Sequence, residues 1–405
     1  MPLPVIEALH LSTRAHRGIA LLLICLFAVA VSTCYTNHGP LLGLITEEFG
    51  LSSAEAGAIA TAFFIGGAIS MVPGGMLADR LGARRLVTGG FLLAALANLG
   101  QGLSVPSYEA LLAWRFLGGL GAGVAFSAGA AYTRSIFEER GAHLAQGLYG
   151  ASFLAGSGST LLFMPVLAGD AGDWRTAFVV AGAGVAAAWA GWAVFAPPGP
   201  GAVPAHDLGL TSPMRRRNTW LLALCHSCGF GMAMVLGTWV TTYLVRGFAL
   251  PLAQAGALGS LVLAMGIVGR SLGGVGLERG VPPVGLIRGA LALAATGFVV
   301  MALPAGSLPL ALAGILVTGL GVGLPYAAVF NGAAVSVPES PAAAQALVGW
   351  GGTLTAILGP PVVGAIFDVT GDFSGGFVVL AAFVAGVLAV TAFLRPLSFG
   401  ARRLA

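Results

Sequence analysis

Apolar residues in this chain come in long, continuous runs rather than alternating with polar ones. Twelve runs can be read, at 18–40, 52–78, 86–104, 108–133, 143–168, 174–196, 218–246, 252–276, 284–304, 308–334, 342–367 and 374–395. Each is about 20 residues or longer, enough to cross about 30 Å of hydrocarbon at 1.5 Å per residue. Backbone groups in lipid must be satisfied internally, so spanning segments are helices or a closed barrel. A barrel needs short alternating strands, so these runs predict an all-α membrane protein of twelve transmembrane helices. Ser52 and Glu55 read as a capping box opening span 2.

The pattern also repeats. A Gly-Gly-x-x-x-acid-Arg turn begins at Gly74, with Asp79 and Arg80, and again 199 residues later at Gly273, with Glu278 and Arg279. Ala54-Glu55-Ala56-Gly57 matches Ala253-Gln254-Ala255-Gly256 at the same spacing, as Gly172-Asp173-Trp174 matches Gly371-Asp372-Phe373. Gly119, Gly121 and Gly123 recur as Gly319, Gly321 and Gly323, small residues that let helix backbones approach closely in lipid. The expected organisation is a terminus at 1–17, a six-helix bundle at 18–196, a Pro- and Gly-rich linker at 197–217, a second, pseudo-symmetric six-helix bundle at 218–395 and a tail at 396–405. Duplicated membrane halves mark alternating-access transporters, whose cargo binds at the repeat interface.

Composition sharpens this. The chain of 405 residues is 57% hydrophobic and 8% charged, against roughly 25% charged in ordinary soluble domains. All nineteen basic residues are arginines. With both termini cytoplasmic, fifteen fall on the cytoplasmic side: Arg14, Arg17, Arg80, Arg84, Arg85, Arg134, Arg140, Arg215, Arg216, Arg217, Arg279, Arg288, Arg395, Arg402 and Arg403. Arg175 and Arg246 fall outside, an asymmetry that sets the orientation. It also accounts for the basic pI without a nucleic-acid partner. The N-terminal segment lacks a small-residue cleavage site and leads straight into span 1, so no cleaved signal is expected. Cys25, Cys34, Cys225 and Cys228 all fall within spans and read as small apolar residues. Cys225-His226-Ser227-Cys228 lacks the further ligands a metal needs, so no metal site is expected.

The turn Gly75-Met76-Leu77-Ala78-Asp79-Arg80-Leu81-Gly82-Ala83-Arg84-Arg85 resembles the signature between helices 2 and 3 of the major facilitator superfamily. Twelve spans, the 6+6 repeat and the long middle loop agree with that family over nearly the whole chain. The resemblance implies a gating role for Gly75, Asp79, Arg80, Arg84 and Arg85, with Asp79 facing the start of span 11 near Pro341, where the helix dipole favours a carboxylate. Glu278 and Arg279 are the second copy, a weaker latch for want of the trailing arginine pair. Pro73, Pro165, Pro325, Pro360 and Pro361 are expected to bend their helices.

Charges inside the spans are few, and each needs a reason, since a buried charge costs about 2.5–3.5 kcal/mol on insertion scales. The two that stand out are Arg115 in span 4 and Arg270 in span 8, roughly 8 Å outward and roughly 9 Å inward of their helix centres. No acid lies at comparable depth, and a guanidinium fork matches carboxylate, nitrate or phosphate. Gly269-Arg270-Ser271-Leu272-Gly273-Gly274 resembles helix 8 of the monocarboxylate, oxalate/formate and nitrate-type anion carriers, which implies a substrate-binding Arg270. The departures are Gly266 in place of the acid of animal monocarboxylate carriers, Thr353 and Thr355 in a span 11 without the oxalate carrier's lysine, and Met71 in place of the nitrate carriers' second arginine. Other candidate cargo contacts are Tyr35, Asn37, His38, Tyr149, Trp239, Tyr243, Tyr326, Asn331 and Trp350, with His38 as the proton-coupling candidate. For each aromatic the plain alternative is packing; for Arg270 it is tying span 8 to the gate.

The expected function is a secondary active transporter of a small anion, a monocarboxylate first, working by alternating access with exchange or proton coupling. Moving a monovalent anion into a negative interior costs about 2.3 kcal/mol per 100 mV. The alternative is a proton-coupled drug or metabolite exporter, weakened because span 5 from Gly150 to Pro165 lacks the Gly-Pro pair of antiporters. No HExxH, GxSxG or Walker loop supports an enzyme. The expected setting is the inner membrane, with lipid and a small anion as partners, no cofactor, and a monomer.

Overall fold

The structure is a computed structural model, described here for residues 13–136, 142–197, 211–303 and 307–397. Twelve helical segments are long and apolar enough to cross a membrane: Arg17–Phe49, Ser53–Ala78, Ala83–Leu103, Tyr108–Thr133, Leu148–Ala168, Trp174–Phe195, Arg217–Phe248, Leu252–Glu278, Pro283–Ala302, Leu308–Ser336, Ala343–Thr370 and Ser374–Phe393. They are spans 1 to 12 below. The described residues contain no strand. The protein is an all-α, multi-pass membrane protein, as the apolar runs predict.

Three spans are built differently from a plain run. Span 1 does not stop near residue 40: the helix Thr13–Thr36 gives way to a 3-10 turn at Gly39–Leu41 and resumes as Leu42–Phe49. Pro40 has no amide to donate, so the α-pattern cannot continue through it. Span 10 breaks the same way, into Leu308–Gly323 and Tyr326–Ser336 around Leu324 and Pro325. Span 7 changes pitch: Arg217–His226 passes through a π-turn at Ser227–Gly231 into Met232–Phe248. Glycines 229 and 231 permit that wide turn, and a Cβ on Gly231 would meet Thr355 Cβ at 2.5 Å. By contrast Pro73, Pro165, Pro360 and Pro361 lie inside unbroken helices.

The chain forms two compact units. One takes in the described residues among 1–51, 58–205 and 252–260; the other those among 52–57, 206–251 and 261–405. In the first, span 3 packs on spans 4 and 6, and span 1 on span 5; in the second, span 9 packs on spans 10 and 12, and span 7 on span 11. The internal repeat is therefore a repeat of helix pairings. The matching glycines make the same approach in each copy. A Cβ on Gly119 would drive into the Phe63 carbonyl of span 2, and one on Gly121 into Gly90 and Ala94 of span 3. Gly319 and Gly321 meet Val262 of span 8 and Ala294 of span 9 in the same way. Gly119→Val is expected to destabilise the first unit by about 1–3 kcal/mol by overpacking, read as a lowered melting temperature in detergent; a wild-type melt would reject the packing assignment.

Residues 198–210 of the expected linker, and most of the expected terminal segments, lie outside the described residues. Beyond them, Thr211–Arg215 is a short helix, and Arg216 Nη2 pairs with Glu339 Oε1 at 3.0 Å. The Ser212 hydroxyl, the local backbone amide and Arg216 together hold the Glu339 carboxyl down to about 2. That contact therefore holds above the ordinary carboxylate range and is lost as pH falls through about 2.

In the second unit the capping box forms: the Ser52 amide and hydroxyl donate to Glu55 Oε2 at 2.9 and 2.8 Å. The next two amides of that helix start donate to Asp368, Ser53 N to Oδ1 at 2.8 Å and Ala54 N to Oδ2 at 2.9 Å. A carboxylate is well placed on those first-turn N–H groups. Gly57 against the Pro360 carbonyl and Gly364 against the Ser53 carbonyl permit the close approach.

Candidate functional site

Each unit holds an arginine within a span, Arg115 buried and Arg270 half-buried, and the two are accommodated differently. In the first unit, Arg115 is fully buried. Its Nη1 donates to the Cys34 carbonyl at 2.9 Å and to Asn37 Oδ1 at 3.0 Å; its Nε donates to the Ile59 carbonyl at 3.3 Å. Nη2 lies 3.1 Å from His38 Nδ1, and since a guanidinium cannot accept, Nδ1 is the acceptor. The guanidinium carbon sits 4.6 Å from the Phe63 ring centroid, a cation–π distance. Every group that accepts from Arg115 is neutral, so its charge is solvated but not cancelled.

Span 1 supplies most of this network because its helix ends at Thr36, just where Cys34, Asn37 and His38 face the cation. Asn98 of span 3 completes it: Asn37 Nδ2 donates to Asn98 Oδ1 at 2.7 Å, and Asn98 Nδ2 donates to Cys34 Sγ at 2.6 Å and to the Ala94 carbonyl at 3.0 Å. Asn98 is missing from the sequence-level candidates; an amide in a largely apolar span, with Gln101 three residues on, was the available signal. Tyr35 turns into an aromatic cluster, edge-on to Phe63 at 4.7 Å and to Phe153 at 4.6 Å. Tyr149 stacks on Phe126 and donates to its carbonyl at 2.9 Å.

In the second unit, the Arg270 guanidinium lies over Tyr326, 4.0 Å from the ring centroid. The break at Pro325 places Tyr326 at the start of a new helix, against span 8. Arg270 lines a small cavity with Cys225, His226, Gly229, Phe230, Val322, Pro325, Tyr326 and Val329. No acidic residue is among them. Free space amounts to about 10 Å3, room for a group the size of one water. His226, read in the sequence only as part of a motif too small for a metal, is 7% exposed and packs against Phe230 and Phe330 at ring separations of 5.9 and 4.8 Å.

The remaining candidates separate from Arg270. Trp239 donates from Nε1 to the Pro360 carbonyl at 3.0 Å and contacts Phe373. Tyr243 joins Phe248, Phe373 and Phe377 in an aromatic cluster. Both are buried packing residues in this arrangement. Asn331 is exposed and Trp350 half-buried, its carbonyl taken by Thr353 Oγ1 at 2.7 Å. Of the gate residues, Gly75 is half-buried, and Arg80, Arg85, Glu278 and Arg279 are exposed. Arg84 donates from Nη2 to the Ala193 carbonyl at 2.9 Å, tying span 3 to span 6. The Asp79 side chain lies outside the described residues. Gly82 and Gly280, closing the two copies of the turn, adopt positive φ of 91° and 85° that favour glycine.

Known proteins bear out this architecture. The chain is 31% identical over 258 residues to a probable sulfoacetate transporter of Cupriavidus necator; that match spans 58% of this chain and only 59% of the relative's length. It is 28% identical to a probable nitrate/nitrite antiporter of Thermus thermophilus, over 78% of each chain, and 25% identical to a probable nitrate/nitrite transporter of Mycobacterium tuberculosis, over 85% of this chain and 88% of that one. Among solved structures, an inward-facing, occupied bacterial homolog of the human lysosomal transporter Spinster superposes with a TM-score of 0.75 at 17% identity, over 94% of this chain and 97% of that one. That likeness speaks to fold alone. The Major Facilitator Superfamily model matches residues 22–345, and the chain belongs to that superfamily.

Proposed function

We propose that the protein is a secondary carrier of a small oxyanion, moved by alternating access across the inner membrane, with both termini cytoplasmic. The observation that carries this reading is the Arg270 cavity: a guanidinium held over an aromatic face, in a lining without a carboxylate. A cationic cargo would be repelled there, while an oxyanion gains charge-assisted bonds in a setting of low dielectric. In the first unit, by itself, Arg115 is likewise solvated only by neutral groups. The relatives named for sulfoacetate and for nitrate and nitrite support an anion as cargo. Within that class a monocarboxylate, or a short carboxylate bearing a sulfonate, is favoured over nitrate. Met71 stands where nitrate carriers hold their second arginine. Uptake against a negative interior requires exchange or an accompanying proton.

The test is uptake and counterflow in proteoliposomes with acetate, lactate, oxalate, sulfoacetate, nitrate and a lipophilic cation. The anions, carboxylates foremost, are expected to move and the cation not. Movement of the cation alone, driven by a proton gradient, would replace this reading with the exporter.

A further inference from the structure

The imidazole of His226 occupies an unusual position for a residue with no assigned part. It lines the same small cavity as Arg270, with the residue 7% exposed. The surrounding structure fixes the ring. Phe230 stacks nearly parallel at 14°, Phe330 meets it edge-on at 83°, and a Cβ on Gly352 of span 11 would come within 3.1 Å of Nε2. The π-turn at Ser227–Gly231 begins immediately after it, and π-turns inside helices recur at functional sites.

The groups facing His226 are few. Span 8 presents Arg270, span 10 presents Tyr326 and Phe330, span 11 presents Gly352, and its own helix presents Cys225 and Phe230. None of these is an acid. Resting on the anion-carrier reading above, we propose that His226 is the second cargo-contacting residue, donating from its ring to the oxyanion that Arg270 holds and taking up the proton that travels with it. With the cavity unoccupied by anion, a second cationic charge beside Arg270 is disfavoured. An oxyanion seated against both groups reverses that balance, so anion and proton bind together and leave together. The space present admits one oxygen-sized group, which matches the leading edge of an anionic head and leaves the rest of the cargo outside it.

His38 is the less suitable carrier. Its Nδ1 already accepts from Arg115, so a second ring proton would have to break that bond against a guanidinium.

The experiment uses full-length protein with lactate and nitrate as probes. Nitrate holds no proton at neutral pH, so any proton taken up on binding belongs to the protein. In weakly buffered detergent solution, wild-type protein is expected to take up about one proton per anion bound, and His226→Gln none. In proteoliposomes His226→Gln, which keeps a donor but cannot carry the proton, should slow counterflow, as a weakened cargo contact requires. It should lose at least about tenfold more of the accumulation driven by an inward proton gradient than of counterflow. Accumulation by His226→Gln equal to wild type overturns the proposal, as does an equal loss of counterflow and accumulation. Wild-type binding without proton uptake overturns it even if the variant fails to fold. If wild-type protein moves neither lactate nor nitrate, nor any other anion of the panel, the anion-carrier reading itself falls; proton-free counterflow removes only the role of His226.

Discussion

Arg270→Ala abolishes anion uptake while the protein still elutes as a folded, monodisperse species. The side chain is half-buried and lies over the face of Tyr326. Removing it costs that cation–π contact, worth about 0.5–2 kcal/mol. Cargo binding is affected far more, because truncating one partner of a buried charge-assisted pair costs roughly 2–5 kcal/mol, at least about thirtyfold. Arg270→Lys should recover only part of the loss, since an ammonium keeps the charge but neither stacks on Tyr326 nor presents a planar fork. Initial uptake rates, normalised to reconstituted protein, read the effect. Wild-type rates in the alanine variant would remove Arg270 from the cargo site.

Arg115→Ala produces the opposite division: a large loss of stability, with transport per folded molecule less affected. Four groups donate their acceptor capacity to this one side chain, from Cys34, Asn37, His38 and Ile59, and it is fully buried. Each acceptor left unsatisfied costs about 1–3 kcal/mol, and as neighbours they do not simply add. A loss on the order of 3–5 kcal/mol follows, visible as a lower melting temperature in detergent. Arg115→Lys should fall between, because a single ammonium cannot reach acceptors on spans 1 and 2 together. A variant that melts like wild type but fails to transport would move Arg115 from the scaffold to the cargo.

The architecture was legible in the sequence because lipid leaves so little choice. Uninterrupted apolar runs give the spans, and the repeat at 199 residues gives two copies of one set of helix pairings. Interruptions were harder to read. Pro325 and Pro40 break their helices, yet Pro360 and Pro361 do not, and nothing local distinguishes them. Pairing of Trp239 with the Pro360 carbonyl depends on a neighbour more than a hundred residues away. Intramembrane arginines announce themselves by rarity, so Arg115 and Arg270 were evident. Their companions were less so, because a histidine or an asparagine in a span has no fixed meaning until the helix face is known. His38 and Asn37 do sit on Arg115, whereas His226, absent from the candidate cargo contacts, shares a cavity lining with Arg270. Trp239 and Tyr243, singled out for the lumen, join an aromatic cluster with Phe373. Their side of the helix is decided by the π-turn upstream, which rotates everything after it and leaves no mark in composition.

The clasp of Asp368 on Ser53 and Ala54 is one-sided in its chemistry: a side chain grips main-chain amides. Every amino acid except proline carries that donor, so residue 54 is free to drift in the course of evolution without loosening it, while Ser53 adds its hydroxyl to its amide. Much of the selective constraint falls on position 368. Comparisons that look for compensating pairs of substitutions will therefore pass over this contact, although it joins positions 315 residues apart.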